Sequence, residues 1–176
     1  MSLETSEVRA AITGELYAAP VGTALPTDTS TALNAAFKGL GYFSEDGVTE
    51  TYEKDTEDIT AWQNAKRVRT LITSAKATYA GTLIQTNVDV IETVFGTSVT
   101  QTVNHGTYTI NPGATSGRLS WVLEVIDGAE IKRIVIEEGE ITELGETNYA
   151  TGEAIGYAIT LEAYTDPDVI DTALKS

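Results

Sequence analysis

The sequence predicts a mainly β protein, a sandwich or barrel with one flanking α-helix, and three observations support this fold class. Thr, Val, Ile and Tyr are abundant, and these side chains pack well on a pleated sheet. About eight short strand-like segments follow one another between glycine-containing turns, which is the spacing of a sandwich or barrel. One segment, residues 86–95, has well-formed helical periodicity.

The charge and the residue usage exclude several classes of protein. There are 26 acidic and 11 basic residues, a formal net charge of -15, which argues against binding to nucleic acid or to an anionic membrane surface. There is no cysteine, so disulfides, thiol catalysis and cysteine-bound zinc are excluded. Hydrophobic residues make up 41% of the chain, which is enough to bury a core.

Residues 1–30 are predicted to form an extended arm, followed by a β-sandwich domain of residues 31–166 and a C-terminal tail of residues 167–176. Two prolines and a glycine in the arm disfavour regular packing of this stretch on itself. Its apolar side chains would be wasted in solvent, so we expect the arm to dock onto a neighbouring copy. The expected contacts are Tyr17, Pro20, Val21 and Leu25. Deletion of residues 1–27 should then leave a folded monomer that cannot polymerise.

The N-terminal residues contain charges and no apolar run, so neither a signal peptide nor a membrane anchor is expected. No segment approaches the roughly 20 apolar residues that span a bilayer. We therefore expect the protein to be made and folded in a cytoplasm.

Two helices are predicted. Residues 28–39 are expected to form a short helix, because Leu33 and Phe37 lie four residues apart on one face. Residues 86–95 are expected to form the clearer helix, which begins with a weak capping box and stops at Gly96. Its apolar face should cover an open face of the sheet.

The remaining segments are predicted to be strands, turns and one long loop. The predicted strands are residues 48–62, 67–84 (with a bend at 74–76), 119–126, 131–136, 141–146 and 154–164. The turns that separate the later strands are residues 127–128, 138–139 and 151–152. Residues 97–119 are expected to be a long loop or a frayed hairpin with one strand near 107–110, and residues 166–168 are expected to end the sheet.

No catalytic constellation is evident. His105 stands alone in a polar loop, and no phosphate-binding or nucleophile motif is present. The carboxylate pairs at 57–58 and 137–138 could hold a hard cation, but neither matches an EF-hand loop. Trp62 and Trp121 are expected to anchor the core or an interface rather than to bind sugar. We therefore expect no enzyme activity, no metal and no cofactor.

Four segments resemble the major tail tube proteins of long-tailed, siphovirus-type bacteriophages, especially those of actinobacterial hosts. They are residues 17–26 (YAAPVGTALP), 37–48 (FKGLGYFSEDGV), 53–62 (EKDTEDITAW) and 154–164 (AIGYAITLEAY). The resemblance covers most of the chain from about residue 15 to residue 165, and it is weakest across the loop at 97–119.

The resemblance implies a structural virion protein with a β-sandwich flanked by a helix. Such proteins form hexameric rings that stack into a non-contractile tail tube, and inner strands of all subunits join in one β-barrel around the lumen through which the genome passes. The implied partners are further copies of the chain, the tape measure, tail terminator and distal tail proteins, and double-stranded DNA that passes without specific binding. The implied location is the virion tail, assembled in the host cytoplasm.

An acidic lumen would repel phosphate and keep DNA from adhering. We therefore expect acidic residues in two segments to supply the lumen charge. They are Glu50, Glu53, Asp55, Glu57, Glu137, Glu138, Glu140 and Glu143. Alternate residues of a strand point to opposite faces, so not all of them can face inward. The alternative is that these acids coat the outer wall.

Two other functions remain open from the sequence. One is a different virion component of the same fold, such as the inner tube of a contractile machine, a tail terminator or a head-decoration protein. The other is a carbohydrate-binding β-sandwich, which would need a row of surface aromatic side chains. The long loop and the arm favour a stacking tube over a terminator.

Overall fold

Ten β-strands and one α-helix make up the part of the chain that the computed structural model describes, which is Glu4 and residues 7–175. The bounds of these elements are β1 Thr13–Pro20, β2 Lys38–Gly39, β3 Phe43–Thr60, β4 Arg67–Leu83, α1 Val88–Phe95, β5 Thr100–Gln101, β6 Gly106–Thr107, β7 Leu119–Asp127, β8 Glu130–Leu144, β9 Tyr157–Ala163 and β10 Asp168–Asp171. The predicted mainly β fold with one α-helix is confirmed.

Eight of these strands form one antiparallel sheet that folds over on itself. Its order is β2-β1-β7-β8-β9-β4-β3, and β10 adds to β8. The short strands β5 and β6 pair with each other within the long loop. Of the two structures expected for residues 97–119, a long loop or a frayed hairpin, the stretch contains a small two-stranded hairpin. Its second strand ends at Thr107, where the strand predicted for residues 107–110 was expected to begin.

Strand β8 turns the corner between the two halves of the sheet. Its first half pairs with β7 and its second half pairs with β9. The register slips at the crossing, where Ser120 donates to the carbonyl of Glu137 at 2.7 Å and the indole of Trp121 donates to the carbonyl of Gly139 at 3.0 Å. The predicted turn at 138–139 is therefore wrong. A bulge bends the strand there without interrupting it.

Gly139 is closely packed at this corner. A Cβ at this position would lie 3.0 Å from the carbonyl oxygen of Glu162 and 3.2 Å from ring and methyl carbons of Trp121 and Leu161. The sequence prediction took this glycine for a turn residue. Its role is to let the second half of β8 approach its neighbours.

The main core lies between the two halves of the folded sheet, and α1 closes one side of it. The strands contribute alternate residues, and the helix contributes Val90, Ile91 and Val94. The buried members of this core are Leu16, Ala18, Leu40, Ala77, Tyr79, Leu83, Val90, Ile91, Val94, Trp121, Leu123, Ile134, Ile136, Ile141, Tyr157, Ile159 and Leu161. The prediction that the helix covers a face of the sheet is confirmed.

The helix begins one residue later than the predicted capping box implied. The side chain of Asn87 caps it by accepting a hydrogen bond of 2.8 Å from the amide of Val90. Gly96 ends the helix in the left-handed conformation, as predicted. Its φ is 58°, and a Cβ there would meet the backbone carbonyl of Thr115.

A second, smaller apolar cluster covers the outer face of β1, β7 and the first half of β8. Its buried members are Ala19, Phe37, Val122 and Val135, and Tyr17, Leu25, Leu33 and Ile170 pack against them. The segment between β1 and β2 lies over this face without forming the helix predicted for residues 28–39. Arg133 donates to the carbonyl oxygens of Asp28 and Thr31, at 2.7 and 2.8 Å, so these oxygens accept from a side chain.

The predicted arm is largely part of the folded domain. Strand β1 pairs along its whole length with β7, and Leu16 is buried in the main core. Tyr17 and Leu25 pack within their own chain, whereas Pro20 and Val21 are exposed. Deletion of residues 1–27 would remove β1, which pairs with eight residues of β7 and buries Leu16, so the expected folded monomer is not supported. Residues 1–3, 5 and 6 of the predicted arm lie outside the described residues.

The predicted tail also contributes to the sheet. Strand β10 pairs antiparallel with residues 132–135 of β8, so the sheet continues beyond the end predicted at 166–168. The side chain of Thr172 then donates to the carboxylate of Glu130 and accepts from the amide of Ile131 at 2.9 Å. Ser176 lies outside the described residues.

Strands β3 and β4 form one long hairpin. The expected bend at 74–76 is wrong, because β4 runs unbroken for 17 residues. The pairing instead contains a bulge at Thr73, where Asp55 lies opposite Ser74 and Thr56 lies opposite Ile72. Strand β9 pairs with β4 only from Ala77 onward, so the outer half of the hairpin projects beyond the sheet.

Candidate functional site: an acidic sheet face with two open edges

The candidate site is built on a four-strand sheet, which we define as β3 from residue 48 to 52, β4 from 77 to 83, β9 from 157 to 163 and β8 from 139 to 144. Directly opposite residues of antiparallel strands share a face. Tyr79, Leu161 and Ile141 lie opposite one another in register and are buried in the core. The residues between them therefore point outward.

Five of the eight predicted lumen acids lie on this outward face or on its continuation along the hairpin. Glu140 lies opposite Glu162, which lies opposite Thr78, and Glu143 lies opposite Thr160. The face continues along β3 at alternate positions. The predicted acids that share it are Glu53, Asp55, Glu57, Glu140 and Glu143.

Glu162 also belongs to this face and was not predicted. The signal was present in the sequence, because Ile159 and Leu161 alternate as core residues of the last strand. The residues between them, Thr160 and Glu162, must then point outward. With Glu162 the outward face carries six carboxylates, which we call the acidic face.

A single lysine lies among these carboxylates. The Nζ of Lys76 is 3.0 Å from Oε2 of Glu53. The hydrogen bond to Glu53 and the charge of that carboxylate raise the pKa of Lys76, and Glu162 and Glu143 raise it further. The spread of these charges around one ammonium group shows that strands β3, β8 and β9 contribute to one negative surface.

The other predicted acids lie elsewhere. Glu50 lies opposite Tyr79 on the core side of the sheet, where its carboxylate accepts from the hydroxyl of Tyr79 at 3.0 Å and from that of Tyr52. Burial raises the pKa of Tyr79, and the bonds to Tyr52 and Glu50 add to this. Glu137 and Glu138 lie at the β8 bulge, where Glu138 accepts from Arg118 at 2.9 Å.

The four-strand sheet has two open edges. Strand β3 pairs only with β4, and residues 140–144 of β8 pair only with β9, within the part of the chain that the structure describes. Each open edge presents backbone N–H and C=O groups without a strand partner. Such edges are templates for pairing with another chain.

The outer half of the hairpin, residues 53–60 and 67–76, is a projecting ribbon. Every side chain in it is exposed except Leu71, which is half-buried. Large apolar side chains, including Ile59, Val68 and Ile72, are therefore in solvent. A two-stranded ribbon is only marginally stable in water, so a ribbon of this length is expected to contact another molecule.

Other kinds of site find no support in the described residues. Among them no group of three or more His, Asp or Glu side chains is arranged to hold a metal ion. Their single α-helix is too short to cross a membrane. His105 is exposed, and its backbone bonds to Thr102 in the turn of the small β5–β6 hairpin.

A family model described as phage tail tube protein matches residues 1–174 of the chain. A search of curated proteins gives no match. Several solved structures are similar, among them the following three. A chain of the sheath-tube complex of an extracellular contractile injection system, in the extended state, has a TM-score of 0.52 at 10% identity, with coverage of 98% of this chain and 100% of that chain.

The other two structures come from gene transfer agent particles. A chain of the tail of the empty particle, refined with C6 symmetry, has a TM-score of 0.45 at 11% identity, and covers 95% of this chain and 98% of its own. A chain of the native virion has a TM-score of 0.43 at 12% identity, and covers 78% and 91%.

Proposed function

Because the chain belongs to the phage tail tube protein family and is thus a structural protein of the virion tail, we propose that six copies close into a ring and that the rings stack into a non-contractile tube. In each ring the four-strand sheet forms part of the inner wall. The observation that carries this proposal is that one antiparallel sheet has an open edge on each side.

Closure through these edges explains the architecture. The β3 edge of one copy would pair with the β8 edge of the next, a head-to-tail contact that generates a ring when the rotation closes. A closed barrel has no edges left, which removes the aggregation risk of two open strands. The two edges lie on opposite sides of the same sheet, as a ring contact requires.

The size of the barrel fits a conduit. Six four-stranded sheets give about 24 strands, and at ~4.8 Å between strands the backbone diameter is at least about 37 Å. Barrels of about 16–18 strands already leave an aqueous channel. The lumen of such a ring would therefore remain open after side chains are added.

We place the acidic face on the lumen side of this barrel. The opposite face of the four-strand sheet is buried against the core by Tyr79, Leu161 and Ile141, so only the acidic face can line a channel. Its carboxylates would repel the phosphates of a passing genome. The lumen set then consists of Glu53, Asp55, Glu57, Glu140, Glu143 and Glu162, and excludes Glu50.

The proposal includes the further expectations that follow from the tube. The partners would be the tape measure, tail terminator and distal tail proteins, with double-stranded DNA passing without specific binding. No catalytic activity and no cofactor are proposed, since the family is structural. The siphovirus type of tail and an actinobacterial host stay predictions.

Electron microscopy combined with amide hydrogen exchange tests the proposal. The purified chain should form hollow tubes or stacked rings of uniform width at high concentration. In these tubes the amides of residues 48–52 and 140–144 should exchange more slowly than in the monomer, because they gain a strand partner. The amides of β7 serve as the control, because β7 is already paired on both sides.

Two results would contradict the proposal. A chain that never forms rings or tubes, even when the other tail proteins are supplied, would exclude a tube subunit. Tubes in which both edges exchange as fast as in the monomer would show that the rings close through another surface.

A further inference from the structure

The tip of the β3–β4 hairpin presents a tryptophan to solvent. Trp62 is 97% exposed, although tryptophan is a residue that folded proteins usually cover. The turn around it is closed by a hydrogen bond of 2.7 Å from the amide of Ala61 to the carbonyl of Lys66. The indole is thus held on an ordered turn at the end of the projecting ribbon.

The same tip is basic, although the chain as a whole is strongly acidic. Of the 11 basic residues, Lys66, Arg67 and Arg69 lie within four positions of one another. Arg67 pairs with Asp58 at 3.2 Å, whereas Lys66 and Arg69 form no ion pair within the described residues. Exposed Trp and Arg side chains are characteristic of the centre of protein interfaces.

A groove of about 380 Å³ lies at the opposite end of the hairpin, where β3 begins. Ile12, Tyr42, Val48 and Val125 supply much of its apolar lining. Of these side chains, Ile12 and Tyr42 are largely exposed. The lining also contains the acids Glu45 and Glu50 and the base Lys132.

The tip and the groove are complementary and lie far apart. Strand β3 is 18 residues long, which at ~3.3 Å per residue is on the order of 55 Å. A copy cannot therefore insert its own tip into its own groove. A second copy displaced along the strand direction can bring its tip to the groove of the first copy. Each copy has one tip and one groove, so the contact can repeat from copy to copy.

We propose that Trp62 of one copy inserts into this groove of a second copy in the adjacent ring, with Lys66 and Arg69 facing Glu45. This inference rests on the proposed stacking of rings, and it specifies the residues that form the contact between one ring and the next. Contact between two different surfaces of identical chains does not close on itself when they are related by translation, so it propagates as a filament. The ring edges and the ring-to-ring contact are then separate surfaces.

Substitution of Trp62 tests the contact. Trp62→Ala removes a fully exposed side chain, so the monomer should keep its fold, which circular dichroism and thermal unfolding would verify. We expect the concentration needed for tubes to rise at least ten-fold, because a buried aromatic anchor is lost. Val103→Ala is the matched control, since Val103 is fully exposed at the tip of the other hairpin, and it should polymerise like wild type.

A charge exchange tests the orientation. Lys66→Glu with Arg69→Glu should reduce tube formation, and so should Glu45→Lys. A mixture of the two variants should restore contacts between unlike copies, so it should assemble at a lower concentration than either alone. Failure of the mixture to improve on both variants would overturn the assigned pairing.

Cross-linking measures the contact directly, and the chain contains no native cysteine to interfere. Gln63→Cys at the tip and Tyr42→Cys at the groove, mixed under oxidising conditions, should form a disulfide-linked dimer of the two variants. Val103→Cys mixed with Tyr42→Cys should not.

The outcomes separate this inference from the proposed function. If wild type forms tubes, Trp62→Ala forms them at the same concentration, and Gln63→Cys cross-links to Tyr42→Cys no more than Val103→Cys does, the docking contact is overturned. The tube would then still stand as the function. Substitutions in the groove that block tail assembly while Trp62→Ala does not would assign the groove to another tail protein. Absence of wild-type rings and tubes even when the other tail proteins are supplied would remove the proposed function itself, and this contact with it.

Discussion

The Nε of Arg133 lies 2.5 Å from Oε1 of Glu124, in a pair whose side chains are only 8% and 14% exposed. The two residues lie directly opposite each other on β8 and β7. The same guanidinium holds the carbonyl oxygens of Asp28 and Thr31. One buried charge pair therefore fastens the long segment between β1 and β2 onto the outer face of the sheet.

Replacement of Arg133 should strongly destabilise the fold. Arg133→Met keeps much of the side-chain volume but leaves Glu124 buried without its partner, so we expect a loss of about 3 kcal/mol of unfolding free energy. Urea denaturation of the monomer would measure it. Arg118→Met is the control, because Arg118 pairs with Glu138 at the surface, and it should cost at most about 1 kcal/mol. Equal losses of unfolding free energy in Arg133→Met and Arg118→Met would show that the burial of the Arg133–Glu124 pair does not add to its effect on stability.

Gly139→Ala should destabilise the corner of β8. The added methyl group would press on the Glu162 carbonyl and on Trp121 and Leu161, and crowding of this kind costs about 1–3 kcal/mol. Thermal unfolding would record it. Gly113→Ala is the matched control, since the nearest atom there is a side-chain oxygen at 3.6 Å. A corner that tolerates alanine as well as position 113 does would show that the strand can shift.

Asp28 should contribute stability that depends on pH. Hydrogen bonds from Thr31 and then Ser30 hold the pKa of this carboxyl well below its usual range. A lowered folded-state pKa adds stability above the unfolded pKa of about 4, and that stability disappears as the pH falls toward the folded value.

The difference in unfolding free energy between wild type and Asp28→Ala should therefore be full at pH 6 and should shrink progressively as the pH falls below about 4. Asp166→Ala, at an exposed position, provides the comparison for removal of a surface carboxylate. A difference for Asp28→Ala that stays constant down to pH 2 would mean that the carboxylate charge does not stabilise this turn.

Charge reversal on the acidic face should change how tubes interact with DNA. Tubes that carry Glu143→Lys, Glu162→Lys and Glu53→Lys should retain DNA in a salt-dependent manner, because lysines attract phosphates. Phages with these tails should eject their genome less efficiently. Reversal of three exposed acids away from this face, Glu146, Glu153 and Asp166, should have no such effect. Equal ejection from both sets of tails would place the acidic face outside the lumen.

The sequence predicted the elements whose signals are local. Helix α1 follows from apolar spacing and a terminal glycine, and Gly96 ends it as expected. Strand β9 follows from alternation. The helix expected at 28–39 failed because its evidence was two apolar residues one turn apart, and both Leu33 and Phe37 instead pack against the second cluster. Arg133, which lies about 100 positions away, takes the carbonyl oxygens that helical bonds would need.

The candidate site was predictable in part. Alternation places Glu53, Asp55 and Glu57 together, and the core pattern of β9 could have added Glu162. The position of Glu50 was not predictable in this way, because its side is determined by the pairing with Tyr79 on β4. The groove at the start of β3 combines residues from four distant segments, so no local pattern could reveal it.

By itself the sequence determined the fold class, the acidic character and the likeness to tail tube proteins, because composition, alternation and short motifs are properties of neighbouring residues. Only the tertiary structure decided which strand edges are open, which acids share one face and that the ends of one hairpin are complementary. Those features depend on strand register and on contacts between segments far apart in the chain. A shift of one residue in register would move every side chain of a strand to the other face.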